Sequence, residues 1–194
     1  MRYRSSQDYS LAPIWVLLAV NFLFFIASLA REGLILDLFG LMPFTFLNEP
    51  WTIVTNMFVH GGWTHIIFNM LALFFLGSYL LRLIGESKFL IVYFVGGILG
   101  NVFFIWLGNP FAIAVGASGA IFALGGALAA MRPRMKVIIF PIPIPLDLWI
   151  AIIILMGISF IPYRVAWQAH LGGLVFGLIA GYYFRRRERR AFWR

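Results

Sequence analysis

Two polar residues stand at the beginnings of apolar, glycine-containing segments, and together they could carry out nucleophilic catalysis. Ser118 lies in the segment Gly116–Phe122 (GASGAIF), where an uncharged loop gives way to an apolar run. His170 lies 52 positions further along the chain, in the segment Ala169–Gly173 (AHLGG). A serine hydroxyl is a weak nucleophile until a neighbouring base takes its proton, and histidine most often serves as that base. We predict that both segments begin helices that face each other, and that Ser118 and His170 form a catalytic pair.

A second polar group lies in the segment His60–Asn69 (HGGWTHIIFN). His65 and Asn69 are four residues apart, so on a helix they share one face. Polar side chains in an apolar helix generally face the interior of the bundle or a cavity. A lone asparagine there more often binds a neighbouring helix than a substrate, and the residues alone leave both roles open for Asn69. For His60, in the preceding loop, we expect a position lining the cavity.

Other hydrolytic chemistries fit the sequence less well. Three histidines could bind zinc, but the chain has no His-Glu-x-x-His motif, and His60 and His65 do not share a helical face. An aspartyl protease needs two carboxylates at membrane depth, and none of the seven acidic residues falls in the middle of an apolar run. Cysteine is absent, which excludes thiol chemistry and disulfides. We therefore predict no metal and no cofactor, and a Ser-His dyad without a third carboxylate.

The composition indicates that the elements carrying these residues lie in a membrane. Hydrophobic residues make up 62% of the 194 residues and charged residues 11%, against about 45–50% and about 25% in ordinary soluble domains. We predict an all-α membrane protein, a single domain over residues 1–194 with six transmembrane helices. The predicted spans are about Leu11–Ala30, Thr64–Leu83, Phe89–Leu107, Ser118–Met131, Leu146–Ile161 and Gln168–Phe184.

The basic residues predict how these spans are oriented. Six spans place both termini on one side, and that side receives thirteen of the fifteen Lys and Arg residues; the other side receives only Arg31 and Arg164. Cytoplasmic loops carry the excess of Lys and Arg, so both termini are predicted to be cytoplasmic. The net charge of +8 thus reflects membrane orientation, and we predict lipid rather than nucleic acid as the partner of the basic C-terminal run.

The fourth span is short, and its length predicts a cavity. From Ser118 to Met131 a helix is about 21 Å long, whereas the hydrocarbon core is about 30 Å thick. If Met131 lies at the cytoplasmic interface, Ser118 lies on the order of 10 Å below the outer surface. Irregular backbone at that depth requires burial in protein or access to water. The sequence therefore predicts a sunken, partly wet cavity that opens outward.

The connecting segments and the small residues complete the predicted architecture. We expect the apolar first outer loop, Arg31–Gly62, to fold into short segments lying partly in the outer leaflet, and Pro141–Pro145 to form an extended connector. Small residues spaced four apart let two helices approach closely in lipid, so we predict contact between the fourth and sixth spans. These small residues are Gly119, Ala123 and Ala127 in the fourth span and Ala169, Gly173, Gly177 and Gly181 in the sixth.

These motifs, in this order, resemble the rhomboid intramembrane serine proteases over about Trp51–Gly181. The resemblance implies that Ser118 is the nucleophile and His170 the general base, and that His65, Asn69 and the Ser118 backbone N–H form an oxyanion hole. It also implies that Gly116 and Gly119 let a substrate backbone come close, and that Phe122 packs against His170. Two departures stand out: Thr52 follows Trp51 where the family often has arginine, and Phe122 replaces a common tyrosine.

The resemblance further implies the substrate class and the location. Substrates are expected to be single-span membrane proteins cleaved near the outer end of their helix, in a prokaryotic cell membrane, with the active site open to the extracytoplasmic side. Two alternatives stay open: a catalytically silent relative that binds membrane proteins, and a small-solute channel or transporter. The silent relative is expected to lack Ser118 or His170, and the channel is expected to carry polar residues through the whole membrane depth.

Overall fold

The computed structural model describes residues 10–139, 142–161 and 165–192, and this part of the chain is mostly helical. One continuous helical rod, Trp63–Ile84, contains a π-helical turn at Leu73–Gly77. A short 3-10 helix covers Asn56–Phe58. The elements in chain order are α1 (Ala12–Ala30), α2 (Glu32–Phe39), α3 (Thr52–Thr55), α4 (Trp63–Ala72), α5 (Ser78–Ile84), α6 (Glu86–Leu107), α7 (Ser118–Met131), β1 (Lys136–Ile139), β2 (Ile142–Asp147), α8 (Leu148–Ile158) and α9 (Trp167–Phe192).

Three helices in the described part of the chain are long and apolar enough to cross a membrane: Ala12–Ala30, Trp63–Ile84 and Glu86–Leu107. The predicted fourth span coincides with α7 at both ends, and α7 and α8 are apolar but shorter than a full span. Helix α9 runs for 26 residues and continues into the arginine-rich C-terminal run. The six-span count, the cytoplasmic termini and the depth of Ser118 stay predictions.

The prediction of an all-α fold was wrong in one place. Strands β1 and β2 form an antiparallel two-stranded sheet, in which Lys136 pairs with Asp147. Residues 142–145 of the expected connector therefore belong to β2, whereas Pro141 lies outside the described residues. Helix α8 begins at Leu148 rather than at the predicted Leu146. Proline has no N–H to give to a sheet, but every strand of a two-stranded sheet is an edge strand, where proline is tolerated. An ion pair of 2.7 Å between Lys136 Nζ and Asp147 Oδ1 joins the open end of the hairpin.

The first outer loop folds into short helices, as predicted, and hydrogen bonds hold these helices together. The indole N–H of Trp51 donates to the Leu38 carbonyl over 2.8 Å, which ties the beginning of α3 to α2. Thr52, at the position where the related family often has arginine, is fully buried, and its hydroxyl donates to the Glu49 carbonyl over 2.6 Å. This loop is thus anchored without an arginine. Its depth in the lipid stays a prediction.

The predicted contact between the fourth and sixth spans is confirmed, because α7 and α9 pack backbone against backbone. The Cα of Gly173 faces the Gly119 carbonyl so closely that a Cβ there would overlap the oxygen. The same relation repeats one turn on, between Gly177 and the Ala123 carbonyl, and again between Gly181 and the Ala127 carbonyl. Glycine is required at these positions because the backbones touch, and this register fixes which residues meet at the beginnings of α7 and α9.

We expect Gly177→Ala to lower the free energy of unfolding by about 1–3 kcal/mol, the usual cost of overpacking a close interface. The added methyl group meets the Ala123 carbonyl, which belongs to the backbone of α7 and cannot move without distorting the helix. Gly157→Ala is the matched control, because a Cβ at this α8 glycine meets no described heavy atom within 4 Å. Thermal unfolding in detergent micelles measures both variants. Equal stability of the two would contradict the described packing.

Candidate active site

The register of α7 and α9 brings Ser118 and His170 into hydrogen-bonding distance. Ser118 is the first residue of α7, and His170 lies in the first turn of α9. The Oγ of Ser118 lies 2.7 Å from Nε2 of His170. The contact predicted from the sequence is therefore present, across a separation of 52 residues. The arrangement gives a hydroxyl and an imidazole nitrogen the geometry needed for proton transfer.

The His170 ring is held on two further sides. The Phe122 ring, one helical turn after Ser118, stacks on the imidazole with a centroid distance of 4.5 Å and an interplanar angle of 20°. The other ring nitrogen, Nδ1, lies 2.9 Å from the Oγ of Ser159, at the end of α8. His170 is buried, with 8% of its surface exposed. Contacts from α7 and α8 therefore restrict the orientation of this ring.

His65 and Asn69 meet at the loop that leads into Ser118. Gly116 has a φ of +116°, in the region that favours glycine. A Cβ at Gly116 would lie 2.6 Å from Nε2 of His65 and 3.7 Å from Nδ2 of Asn69. Both side chains therefore lie beside this loop two residues before Ser118, in agreement with their shared helical face. The first N–H groups of α7 have no acceptor within the helix, so side-chain and backbone donors converge on this region.

A small pocket lies beside Ser118. Ser118, Gly116 and Gly119 line this pocket, together with Asn56 and Asn101. His60 and Phe122, which were also expected to line the cavity, are not among the residues that line this small pocket, and their place in a substrate cavity stays a prediction. Each of these two residues contacts a candidate catalytic ring: Phe122 covers His170, and His60 lies against His65 with ring centroids 4.9 Å apart.

His60 acts as a packing partner in the connection before α4. Its ring is 2% exposed, and Nδ1 lies 3.3 Å from the Phe58 carbonyl. Burial lowers the pKa of the His60 imidazole to about 3, and the neighbouring His65 ring is a second cause. His60 is therefore neutral at physiological pH and supports His65 by contact. Within the described residues, no group of three His, Cys, Asp or Glu side chains has the geometry to hold a metal ion.

Sequence reasoning missed the asparagine pair that anchors the loop before Ser118. The amides of Asn56 and Asn101 exchange two hydrogen bonds, of 3.1 and 2.7 Å. Asn101 also donates to the Ile53 carbonyl over 2.7 Å, and the Asn56 carbonyl accepts from the Gly116 N–H over 2.8 Å. The pair thus links α6, the first outer loop and the approach to Ser118. An asparagine in the apolar α6 was the signal that could have revealed it.

Comparisons with known proteins show which proteins this chain is similar to. The family model described as the Rhomboid domain matches residues 47–187. The chain is 28% identical over 193 residues to Rhomboid protein 1, mitochondrial, of Saccharomyces cerevisiae, a match covering 91% of this chain and 56% of the relative. It is 36% identical to Rhomboid protease GluP of Bacillus subtilis, covering 69% of this chain and 26% of the relative. It is 33% identical to RHOMBOID-like protein 1 of Arabidopsis thaliana, a match covering 71% of this chain and 35% of the relative. The chain therefore spans between about a quarter and just over half of the length of these relatives.

We expect Asn101→Ala to lower the free energy of unfolding by about 1–3 kcal/mol. The change removes the donor to the Ile53 carbonyl and both hydrogen bonds to the buried Asn56 amide, which keeps only a long contact of 3.5 Å with the Ala114 carbonyl. The loop before Ser118 should loosen as well, so hydrogen exchange at the Gly116 N–H should become faster. Asn48→Ala, at an exposed asparagine of the outer loop, is the control. Unchanged exchange at Gly116 in Asn101→Ala would show that the pair does not anchor this loop.

Proposed function

The chain belongs to the rhomboid family, and on that premise we propose that it is an intramembrane serine endopeptidase with a Ser118–His170 dyad. Members of this family are integral membrane proteins, and relatives of this chain such as GluP are named proteases. The observation that carries the proposal is the 2.7 Å contact between Ser118 Oγ and His170 Nε2 beside a pocket. A silent relative has no need to keep a nucleophile and a base in this contact.

In the proposed reaction, Ser118 Oγ attacks the carbonyl carbon of the scissile peptide bond, and Nε2 of His170 takes the hydroxyl proton. The tetrahedral intermediate collapses when the C–N bond breaks, and His170 returns the proton to the leaving amine. A water molecule then attacks the acyl-enzyme, again with His170 as the base, and releases the carboxylic acid together with free Ser118. Each step needs the same ring nitrogen to face the atom that gives or takes the proton, and the packing of His170 supports this orientation.

We assign the oxyanion hole to the donors that converge beside Ser118. These donors are the side chains of His65 and Asn69 and the Ser118 backbone N–H. The helix N-terminus adds a partial positive charge to the side where negative charge develops. Preorganised donors of this kind stabilise the intermediate without reorganising during the reaction. The position of both side chains beside Gly116, two residues before the nucleophile, supports the assignment.

The proposed substrates are single-span membrane proteins, cleaved near the outer end of their transmembrane helix. A peptide bond within a helix is shielded by the surrounding turns, so a substrate segment must unwind before Ser118 can reach its carbonyl. Gly116 and Gly119 line the pocket beside Ser118, and we propose that they let the backbone of that extended segment come close to the nucleophile. We place the protein in a prokaryotic cell membrane with the pocket open to the extracytoplasmic side, in agreement with the distribution of basic residues.

Ser118→Ala should abolish cleavage of a reporter transmembrane segment in liposomes, because the nucleophile is removed. A fluorophosphonate probe should label the wild type and should not label Ser118→Ala. Ser87→Ala, at an exposed serine near the beginning of α6, is the matched control and should retain both cleavage and labelling. Equal cleavage by the wild type and Ser118→Ala would refute the proposed function.

Asn69→Ala should lower kcat by about 100- to 1,000-fold, the usual effect of removing one oxyanion donor. KM should change little, since this donor acts mainly on the charge that develops in the transition state. The exposed Asn48→Ala variant again serves as the control. Initial rates over a range of reporter concentrations separate the two parameters. A rise in KM at constant kcat would assign Asn69 to substrate binding instead.

A further inference from the structure

Ser159 makes a contact with His170 that the reaction described above does not use. This serine directly follows Ile158, the last residue of α8, and it is buried, with 6% of its surface exposed. Its Oγ lies 2.9 Å from Nδ1 of His170 and 2.8 Å from the carbonyl oxygen of Leu155. Each nitrogen of the His170 imidazole therefore faces a hydroxyl group, that of Ser118 at Nε2 and that of Ser159 at Nδ1.

The contact with Leu155 determines whether Ser159 Oγ or Nδ1 of His170 donates the hydrogen bond between them. A carbonyl oxygen only accepts hydrogen bonds, and two oxygens 2.8 Å apart repel each other unless a hydrogen lies between them. The hydroxyl hydrogen of Ser159 must therefore point at Leu155. The Ser159 oxygen then offers only lone pairs to His170, so the nitrogen facing it, Nδ1, must be the protonated one.

We propose that Ser159 is a positioning residue that holds His170 in the tautomer with Nδ1 protonated and Nε2 free. In this tautomer Nε2 accepts the Ser118 proton, whereas the opposite tautomer would present an N–H to Ser118 and could not act as a base. The inference rests on the proposed function for its catalytic meaning. The assignment of the tautomer rests only on the three oxygen and nitrogen contacts around Ser159 and His170.

Ser159 also keeps a partner for His170 after proton transfer. The imidazolium carries hydrogens on both nitrogens, and the Ser159 oxygen continues to accept from Nδ1 while Nε2 holds the transferred proton. The donor bond from Ser159 to Leu155 need not break at any step. Ser159 is itself excluded as a nucleophile, because its hydrogen is engaged with a backbone carbonyl and it does not line the described pocket.

Ser159→Ala should lower kcat by about 10- to 100-fold with KM little changed, the range typical of leaving a buried hydrogen-bonding group without its partner. Ser159→Thr keeps the hydroxyl and should restore most of the rate. The chain offers a matched control in Ser28→Ala: Ser28 is also buried, and its Oγ donates to the carbonyl four residues earlier, that of Phe24, over 3.0 Å. This control loses the same helix contact but no contact with a histidine, so its kcat should stay at the wild-type value.

The nitrogen chemical shifts of the imidazole test the tautomer without any reference to catalysis. In protein labelled with ¹⁵N-histidine, His170 is assigned by comparison with His170→Gln. The wild type and Ser28→Ala should show Nδ1 protonated and Nε2 unprotonated at neutral pH, and Ser159→Ala should shift the population towards protonated Nε2.

The two measurements separate the possible failures. Wild-type protein without cleavage activity would refute the proposed function, and the tautomer spectra would still decide the role of Ser159. An unchanged tautomer population in Ser159→Ala overturns the positioning role, even where kcat falls. Equal losses of kcat in Ser159→Ala and Ser28→Ala overturn it as well, since they would trace the loss to helix stability.

Discussion

The structure depends on one constraint, the backbone contact between α7 and α9. A glycine of α9 meets a carbonyl of α7 at three successive turns, through Gly173, Gly177 and Gly181. Close contact without intervening side chains leaves little freedom to slide, because a shift by one residue would drive a side chain into a carbonyl. Ser118 and His170 lie at the same end of these two helices. Their 2.7 Å contact is therefore a consequence of helix packing rather than of any feature of the loops.

The loops and the remaining helices orient the groups around Ser118 and His170, whereas the packing of α7 against α9 brings the two residues together. Helix α7 contributes Phe122 below the ring, α8 contributes Ser159 at the far nitrogen, and α4 contributes His65 and Asn69 beside Gly116. The asparagine pair of α6 and the outer loop holds the segment that delivers Gly116. Elements distant in sequence thus each restrict the position of His170 or of the loop before Ser118. Preorganised catalysis requires side chains that are restricted in this way.

The sequence predicted the parts of the site that local patterns encode. Ser118 stands between an uncharged loop and an apolar helix, and the four-residue spacing of glycines indicates which helices touch. The β-hairpin was missed because proline is excluded from the central strands of a sheet. Both strands of this two-stranded sheet are edge strands, where proline is tolerated. The role of Ser159 was missed because a serine near the end of an apolar helix carries no local signal. Its partner lies on the following helix, and the fold alone brings the two together.

A neutral partner at Nδ1 suits a dyad that is surrounded by apolar helices. An ionised carboxylate in that position would hold the imidazolium more strongly, but burying its charge beside a ring that is 8% exposed would cost several kcal/mol unless it were fully paired. A serine hydroxyl whose hydrogen is committed to a carbonyl offers the same directional acceptor without a charge to desolvate. Such a hydroxyl fixes the tautomer of His170 through the direction of its hydrogen bond. It provides little of the electrostatic stabilisation that a carboxylate would give to the imidazolium. In the proposed reaction, more of the transition-state stabilisation is therefore assigned to the proposed oxyanion donors and the N-terminus of α7 than a charged third residue would require.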